Sequence, residues 1–235
     1  KYYNMKNIVI ATIKEWNINN YFELKKELEN EYSLYLLTNK DELSFKNIET
    51  INPKYIFFPH WSWIIPENIY KNYECILFHM TDLPYGRGGS PLQNLIINKV
   101  YNTKISALKV TKGLDEGDIY LKEDFDISKG SANEIYINAS KLIFKKLIPN
   151  ILRQNPTPVR QEGDVVNFKR RTPEQSNIKM LNDVSIANLY DFIRMLDAPS
   201  YPKAYLELDN LKMELFEVII KDGKLEGRFE VSKHE

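Results

Sequence analysis

The stretch from Cys75 to Asp118 constrains the fold more than any other part of the chain. It begins with a short apolar run, Cys75 to Phe78, which predicts a buried strand, and His79 follows where that strand should end. A glycine-rich loop, a helical pattern and a second apolar run then lead to Asp115. Since ligands of open α/β sheets bind just beyond strand ends, His79 and Asp115 are candidate functional residues.

Strand-like and helix-like segments alternate on either side of this stretch. Residues 5–13, 34–38 and 54–58 are β-branched or apolar and predict strands. This alternation predicts an α/β fold with a mostly parallel, Rossmann-like sheet and helices on both faces. No glycine fingerprint follows the first predicted strand, so a dinucleotide site is not indicated.

The C-terminal third has a different pattern. Residues 131–152 predict a long amphipathic helix, and a proline-rich break then suggests an N-terminal domain over 1–154 and a further region over 155–235. In that region a linker and a helix precede three alternating segments, and Asp222-Gly223 is a strong hairpin signal. We therefore expect a small C-terminal antiparallel β appendage.

Charge and cysteine content limit which binding partners and which cellular compartment we expect. The chain has 32 basic and 32 acidic residues, so it lacks a net positive field that would attract nucleic acid, and we expect no nucleic-acid partner. Cys75 is the one cysteine and lies in an apolar run, which indicates a buried thiol in a reducing, cytoplasmic compartment. No apolar run is long enough to cross a bilayer and no signal peptide is visible, so no membrane association is expected.

The motifs around His79 resemble those of the folate-dependent formyltransferases. That family carries H-x-x-x-L-P, then R-G, then L-D-x-G, and this chain has His79, Leu83-Pro84, Arg87-Gly88 and residues 114–117 in the same order. Asp115 follows His79 by 36 residues, which matches the family spacing. The chain departs from the family at Leu77, where the family has Asn two residues before the histidine.

The resemblance implies a site for N10-formyltetrahydrofolate as formyl donor, and no metal. Trp63, Ile64 and Ile65 occupy the place of the family's apolar segment beside the folate, while Val110 and Leu114 belong to the loop on its other side. Aromatic and apolar side chains suit a flat pterin ring. The alternative is that the aromatic loop only packs against its own domain.

Three further residues are candidates for binding the acceptor substrate. Asp82 departs from the family pattern and could bind a hydroxyl or an amine, and Arg87 belongs to the R-G motif. Tyr201 lies in a segment similar to one in sugar N-formyltransferases, where it could stack on a ligand or simply pack. The basic run 169–171 resembles part of a motif found in the same enzymes, and an exposed basic turn is the alternative.

The chemistry implied is attack of an amine on a formyl carbon. The amine loses a proton, a task for which imidazole is suited near neutral pH, so His79 is the predicted acid–base group and Asp115 its orienting partner. The family's Asn would donate a hydrogen bond to the oxyanion, and Leu77 cannot. The candidate replacement donors are a protonated His79, a backbone amide in residues 86–89, Thr81 and Gln93.

The sequence therefore predicts an N-formyltransferase for an amino sugar carried on a nucleotide, in bacterial surface-glycan biosynthesis. A methionyl-tRNA formyltransferase is the first alternative, although those enzymes normally have a longer chain and a basic face. The purine-pathway transformylase is another, and it lacks the basic motif at 169–171. A folate- or sugar-binding protein without catalytic activity is the alternative from another class, with Leu77 as its argument. A homodimer is also left open.

Overall fold

The computed structural model describes residues 5–199 and 201–233, which form two compact units. The first unit runs up to Arg87 and also contains residues 104–125 and 137–166; the second contains residues 88–103, 126–136 and the chain from Asn167 onward. Pieces of the second unit thus precede residue 155. The single boundary predicted between 1–154 and 155–235 does not describe this division, because residues 88–103 and 126–136 pack with the C-terminal part of the chain.

Eleven strands lie in the described part of the chain. They are β1 (Lys6–Ala11), β2 (Tyr32–Leu37), β3 (Tyr55–Phe58), β4 (Cys75–His79), β5 (Tyr85–Gly88), β6 (Asn102–Lys109), β7 (Ile119–Asp126), β8 (Val166–Phe168), β9 (Ala204–Leu208), β10 (Leu211–Lys221) and β11 (Lys224–Lys233). The main sheet has the order β2-β1-β3-β4-β6-β7, and its first four strands are parallel. The predicted mostly parallel α/β fold is confirmed.

Seven α-helices lie in the described part of the chain. They are α1 (Glu15–Leu28), α2 (Phe45–Ile51), α3 (Glu67–Tyr70), α4 (Pro91–Ile97), α5 (Ala132–Leu142), α6 (Ile148–Gln154) and α7 (Ile186–Arg194). A π-helical segment, Ile143–Leu147, joins α5 to α6. Pro149 lies just after it and has no N–H for an α-helical bond, which accounts for the change of helical register.

The direction of β6 corrects one step of the sequence argument. Strand β6 is antiparallel to β4, with Ser106 beside His79 and Lys109 beside Ile76. The carboxyl end of β6 is therefore at the opposite edge of the sheet from His79. Asp115 does not reach His79 by following a strand end, as the sequence suggested; the loop between β6 and β7 brings it back to that residue.

The core of the first unit is formed by the central strands. Val9, Ile56 and Cys75 are buried in one apolar cluster with Val110. Burial raises the pKa of the Cys75 thiol to about 12, so it is an inert packing residue, as expected. Among residues 5–199 and 201–233, no helix is both long and apolar enough to cross a bilayer.

The C-terminal strands of the second unit form the predicted antiparallel sheet, with the order β11-β10-β9. Asp222 and Gly223 connect β10 to β11, and both have positive φ angles, 49° and 72°. Two successive positive φ angles are the signature of the hairpin turn that an Asp-Gly pair favours. The C-terminal appendage predicted from the sequence is confirmed.

Candidate functional site

His79 occupies the last position of β4 and is almost fully buried, with 8% of its surface exposed. Its Nε2 lies 2.7 Å from the carbonyl oxygen of Gly86. Because a carbonyl oxygen can only accept, this contact requires a proton on Nε2. The neutral ring then carries its lone pair on Nδ1, which is the nitrogen free to take a proton.

The Gly86 carbonyl is itself fixed by a second donor. The hydroxyl of Thr81 lies 3.2 Å from the same oxygen, and the Thr81 carbonyl accepts a hydrogen bond from Ser106 on the neighbouring strand. Gly86 has a φ angle of 77°, a conformation that glycine adopts without steric cost. The loop after β4 thus sets both the tautomer and the orientation of the His79 ring.

Asp115 faces the free nitrogen of His79. One carboxylate oxygen, Oδ2, lies 3.7 Å from Nδ1, which is beyond hydrogen-bonding distance. Asp115 is also buried, with 7% of its surface exposed, and its backbone has a positive φ angle of 53°. A carboxylate at this distance stabilises a positive charge that forms on the imidazole.

Gln161 connects the Asp115 loop to Arg87. Its amide nitrogen donates to the carbonyl oxygens of Asp115 and Gly117, both at 2.8 Å. Its amide oxygen accepts from Nε and Nη2 of Arg87 at 3.0 and 2.8 Å. No local sequence signal reveals this role of Gln161, because Asp115 and Arg87 are 46 and 74 positions away.

We expect Gln161→Ala to slow the chemical step about tenfold or more while leaving the protein folded. Gln161 holds the loop that carries Asp115, and a displacement of about 1 Å in a reacting group can cost on the order of 10²-fold. Single-turnover rates measure the effect. Glu162→Ala, at the exposed next position, is the matched control, and equal rates in the two variants would contradict the positioning role.

Leu77 lies on the same face of β4 as His79, two residues earlier. It is partly buried and packs on two apolar clusters, one containing Val110 and one containing Leu83. Two of the proposed replacement donors are already engaged. The hydroxyl of Thr81 bonds to Gly86, and the Gln93 amide nitrogen, in the second unit, bonds to Tyr136 and to the Met195 carbonyl.

An apolar wall forms from the loops that the sequence assigned to the cofactor. Ile65 and Val110 belong to one apolar cluster together with Trp61, the other tryptophan of the same loop. Trp63 packs edge-on against Trp61, with ring centroids 4.9 Å apart, and is 39% exposed. Ile64 and Leu114 instead face solvent, with 93% and 71% of their surfaces exposed, and their cofactor role stays a prediction.

The wall also carries an unused polar group. The indole nitrogen of Trp61 is buried and has no hydrogen-bond partner in residues 5–199 and 201–233. A buried donor without a partner is costly, and a ligand with a carbonyl or ring nitrogen would satisfy it. Apolar side chains with one polar group in reach are a suitable lining for a heteroaromatic ring.

Sequence and structure comparisons agree on the nature of this chain. Residues 173–232 match a family model described as the C-terminal domain of methionyl-tRNA formyltransferase. A solved structure described as methionyl-tRNA formyltransferase from Clostridium thermocellum is 49% identical, with a TM-score of 0.93, and the alignment covers 97% of this chain and all of that one. The chain belongs to the formyltransferase family. The resemblance seen in the motifs around His79 is thereby confirmed.

Other members of the family are more distant. A methionyl-tRNA formyltransferase from Campylobacter jejuni subsp. doylei is 26% identical over 197 residues, which are 83% of this chain and 63% of that protein. The chain thus spans about three fifths of the length of such curated relatives. A sugar N-formyltransferase from Shewanella shares the fold, with 15% identity, a TM-score of 0.70 and coverage of 96% and 97%. The expectation that nucleic acid is not a partner has no support from these relatives.

Two predicted substrate-binding residues already have partners within the chain. Asp82 forms an ion pair with Lys122, with 2.6 Å between Oδ1 and Nζ. Tyr201, in the second unit, lies with its hydroxyl 3.4 Å from Oγ of Ser90. Ser90 directly precedes α4, but its side chain makes no capping bond and instead accepts from the Arg171 backbone N–H. The substrate roles of Asp82, Arg87 and Tyr201 stay predictions.

The loop that carries the tryptophans is anchored from β1 and α1. Thr12 and Asn17 are buried, and both donate to the carbonyl oxygen of Pro59, directly after β3. Asn17 lies in the first turn of α1, which begins at Glu15. Helix formation there places the Asn17 amide where it bonds both Thr12 and Pro59, which fixes the start of the aromatic loop.

An open cavity of about 610 Å³ is lined by Val110 and by other residues of the segments 67–74 and 109–112. It is next to the start of β4, whereas His79 is at the end of that strand. Neither His79 nor Asp115 lines it, and we do not assign it to the reaction. Within the described residues, no group of three or more His, Cys, Asp or Glu side chains could hold a metal ion.

Proposed function

We propose that this chain transfers a formyl group from N10-formyltetrahydrofolate to a primary amine. The observation that carries the proposal is the buried His79–Asp115 pair, in which Nδ1 is free and faces a carboxylate 3.7 Å away. Family membership supplies the reaction class, and the family's donor supplies the formyl carbon when bound. A new C–N bond forms to the amine, the bond to N10 breaks, and the proton lost by the amine is returned to N10.

His79 moves the proton at its Nδ1 atom. The Gly86 carbonyl keeps the Nε2 proton in place, so the ring accepts the amine's proton on the side that faces Asp115. The Asp115 carboxylate stabilises the resulting imidazolium and does not itself take up a proton. The same Nδ1–H can then protonate the departing nitrogen.

Leu77 has no hydrogen-bond donor for the oxyanion, so another group must stabilise that charge. Thr81, Gln93 and the Gly89 N–H are engaged, and protonated His79 is a donor that remains among those considered. We assign the role to protonated His79. Its charge strengthens a hydrogen bond to an anionic oxygen, which offsets the loss of an Asn donor.

Trp61, Ile65 and Val110 are the residues that would hold the folate ring. Their side chains form the apolar wall, and the Trp61 indole N–H would donate to a polar atom of the ring system. Trp63 would cover an edge of the ring, because it packs against Trp61 and keeps more than a third of its surface exposed.

The acceptor that we propose is an amino sugar linked to a nucleotide. Its support is the balance of 32 basic and 32 acidic residues, which leaves the short basic run 169–171 as a distinct cationic segment. A nucleotide diphosphate needs few cations, whereas tight binding of tRNA requires many phosphates to be neutralised at once. A role in surface-glycan biosynthesis and a cytoplasmic location are part of the same proposal.

Methionyl-tRNA is the second candidate acceptor. The specific observation in its favour is the 49% identity, over the whole of that chain, to the structure described as methionyl-tRNA formyltransferase from Clostridium thermocellum. The match of residues 173–232 to the C-terminal domain model points the same way. The two candidates predict different dependence on salt.

We expect formyl transfer to an aminosugar nucleotide to exceed transfer to methionyl-tRNA, with only a weak dependence on salt. Rates for a panel of aminosugar nucleotides and for charged initiator tRNA, each over a salt series, test this. A tRNA substrate would lose affinity steeply with salt because counterions return to its phosphates. A higher rate with methionyl-tRNA would overturn the aminosugar proposal and leave formyl transfer intact.

A further inference from the structure

Strand β11 is a long, open edge of the C-terminal sheet. The strand order β11-β10-β9 leaves one side of its ten residues without a neighbouring strand among those described. It contains no proline, and the irregularity in its pairing with β10 lies on the β10 side, between Phe216 and Ile219. An edge strand without such interruptions presents a row of backbone groups that can pair with another chain.

One face of this edge is apolar and open to solvent. Phe229 and Val231 have 62% and 47% of their surfaces exposed. The register places them beside Leu215 and Met213 of β10, and Leu208 on β9 extends the same face with 46% exposure. Exposed apolar patches that run across several strands mark interaction surfaces more often than single exposed residues do.

The other face of β11 alternates in charge. Arg228 and Glu230 are two residues apart, and both side chains lie on this face. Glu230 is directly opposite Glu214 of β10, an unfavourable pairing of like charges. Arg228 has a solvent-exposed ion pair with Glu217, 3.2 Å apart. A cation brought beside Glu230 from another molecule would relieve the repulsion.

We propose that two copies of this chain associate by antiparallel pairing of β11 with β11, about a two-fold axis at Phe229. In this register Arg228 lies opposite the partner's Glu230, and Glu230 lies opposite the partner's Arg228. Phe229 lies opposite the partner's Phe229. An axis perpendicular to the sheet keeps the apolar face of both copies on the same side, so the two three-stranded sheets become one six-stranded sheet.

Other symmetric registers are less favourable or shorter. An axis at Arg228 places the two copies of Arg228 opposite each other and Glu226 opposite Glu230, so like charges face each other. An axis at Glu230 places the two Glu230 carboxylates opposite each other. An axis at Gly227 also joins opposite charges, Arg228 with Glu226 and Glu230 with Lys224. It pairs only residues 224–230, however, whereas the axis at Phe229 pairs residues 225–233.

Charge reversal tests both the dimer and its register. We expect the wild-type chain to show a concentration-dependent dimer in sedimentation velocity. Arg228→Glu and Glu230→Arg should each raise the dissociation constant by at least about 10²-fold, because like charges then face each other twice. An equimolar mixture of these two variants, and the double variant R228E/E230R alone, should both recover the dimer.

Two features keep the test clear of folding effects. Glu230→Arg removes the repulsion with Glu214, so its melting temperature should not fall even if Arg228→Glu loses the pair with Glu217. Glu226→Lys is the control, since the axis at Phe229 places Glu226 opposite Ser232. A monomeric wild type at every concentration, no recovery in the mixture, or loss of the dimer in Glu226→Lys would each overturn the proposal.

Discussion

His79→Asn and Asp115→Asn are each expected to lower single-turnover formyl transfer by at least about 10²-fold, the scale for losing a positioned acid–base group. Asn at position 79 has no ring nitrogen to take the amine's proton. Asn at position 115 leaves a neutral amide where the carboxylate now faces Nδ1 at 3.7 Å. Asp115→Asn is isosteric, and His79→Asn keeps a smaller polar side chain at the buried site, so circular dichroism should show a folded protein in both cases.

Leu77→Ala is the control for these variants. Leu77 shares a face of β4 with His79 but contributes only packing, against the clusters that contain Val110 and Leu83. We expect it to lose stability, by less than the roughly 2–5 kcal/mol typical of a fully buried leucine, and to keep its rate. Full activity in either His79→Asn or Asp115→Asn would refute the assignment of the pair.

Gly117→Ala is expected to reduce formyl transfer to a similar extent through backbone displacement. A β-carbon at position 117 would lie 1.7 Å from the carbonyl oxygen of Lys109, which is backbone and cannot rotate away. The loop must therefore move, and with it Asp115 and the Gly117 carbonyl that Gln161 holds. Single-turnover rates and the thermal melting curve together separate loss of geometry from loss of folding.

Gly113→Ala is the matched control in the same loop. A β-carbon there would meet the carboxylate end of Glu116, which is flexible and more than half exposed, so a small side-chain rotation relieves the contact. We expect nearly normal turnover. If Gly113→Ala and Gly117→Ala were equally active, the close approach at Gly117 would not be what positions Asp115.

The features that could be predicted from the sequence are those with local signals. The apolar run before His79, the Asp222-Gly223 turn and the alternation of β10 and β11 each depend on neighbouring residues, and each was found as predicted. The pairing of His79 with Asp115 was expected from motif spacing. Its stated structural reason was wrong, because the antiparallel direction of β6 is a long-range property that no local pattern contains.

The supporting residues of the site could not be predicted in the same way. Gln161 acts on the Asp115 loop from a distant part of the chain, and its neighbours resemble any polar turn. The aromatic loop was located correctly, but sequence alone could not tell that Trp61 and Ile65 turn inward while Ile64 faces solvent. Thr12, directly after β1, and Asn17, in α1, fix the start of this loop through long-range hydrogen bonds that no local pattern contains.

The most direct test of the account is to observe the new C–N bond and its dependence on His79. The donor would carry an isotopic label on its formyl carbon and the aminosugar nucleotide a second label on its amine nitrogen. We predict a product with one-bond coupling between the two labels for the wild type, and at least about 10²-fold slower formation with His79→Asn. The account would be contradicted if labelled formate were released without any coupled product. It would also be contradicted if the donor bound but no amine acceptor, methionyl-tRNA included, were formylated.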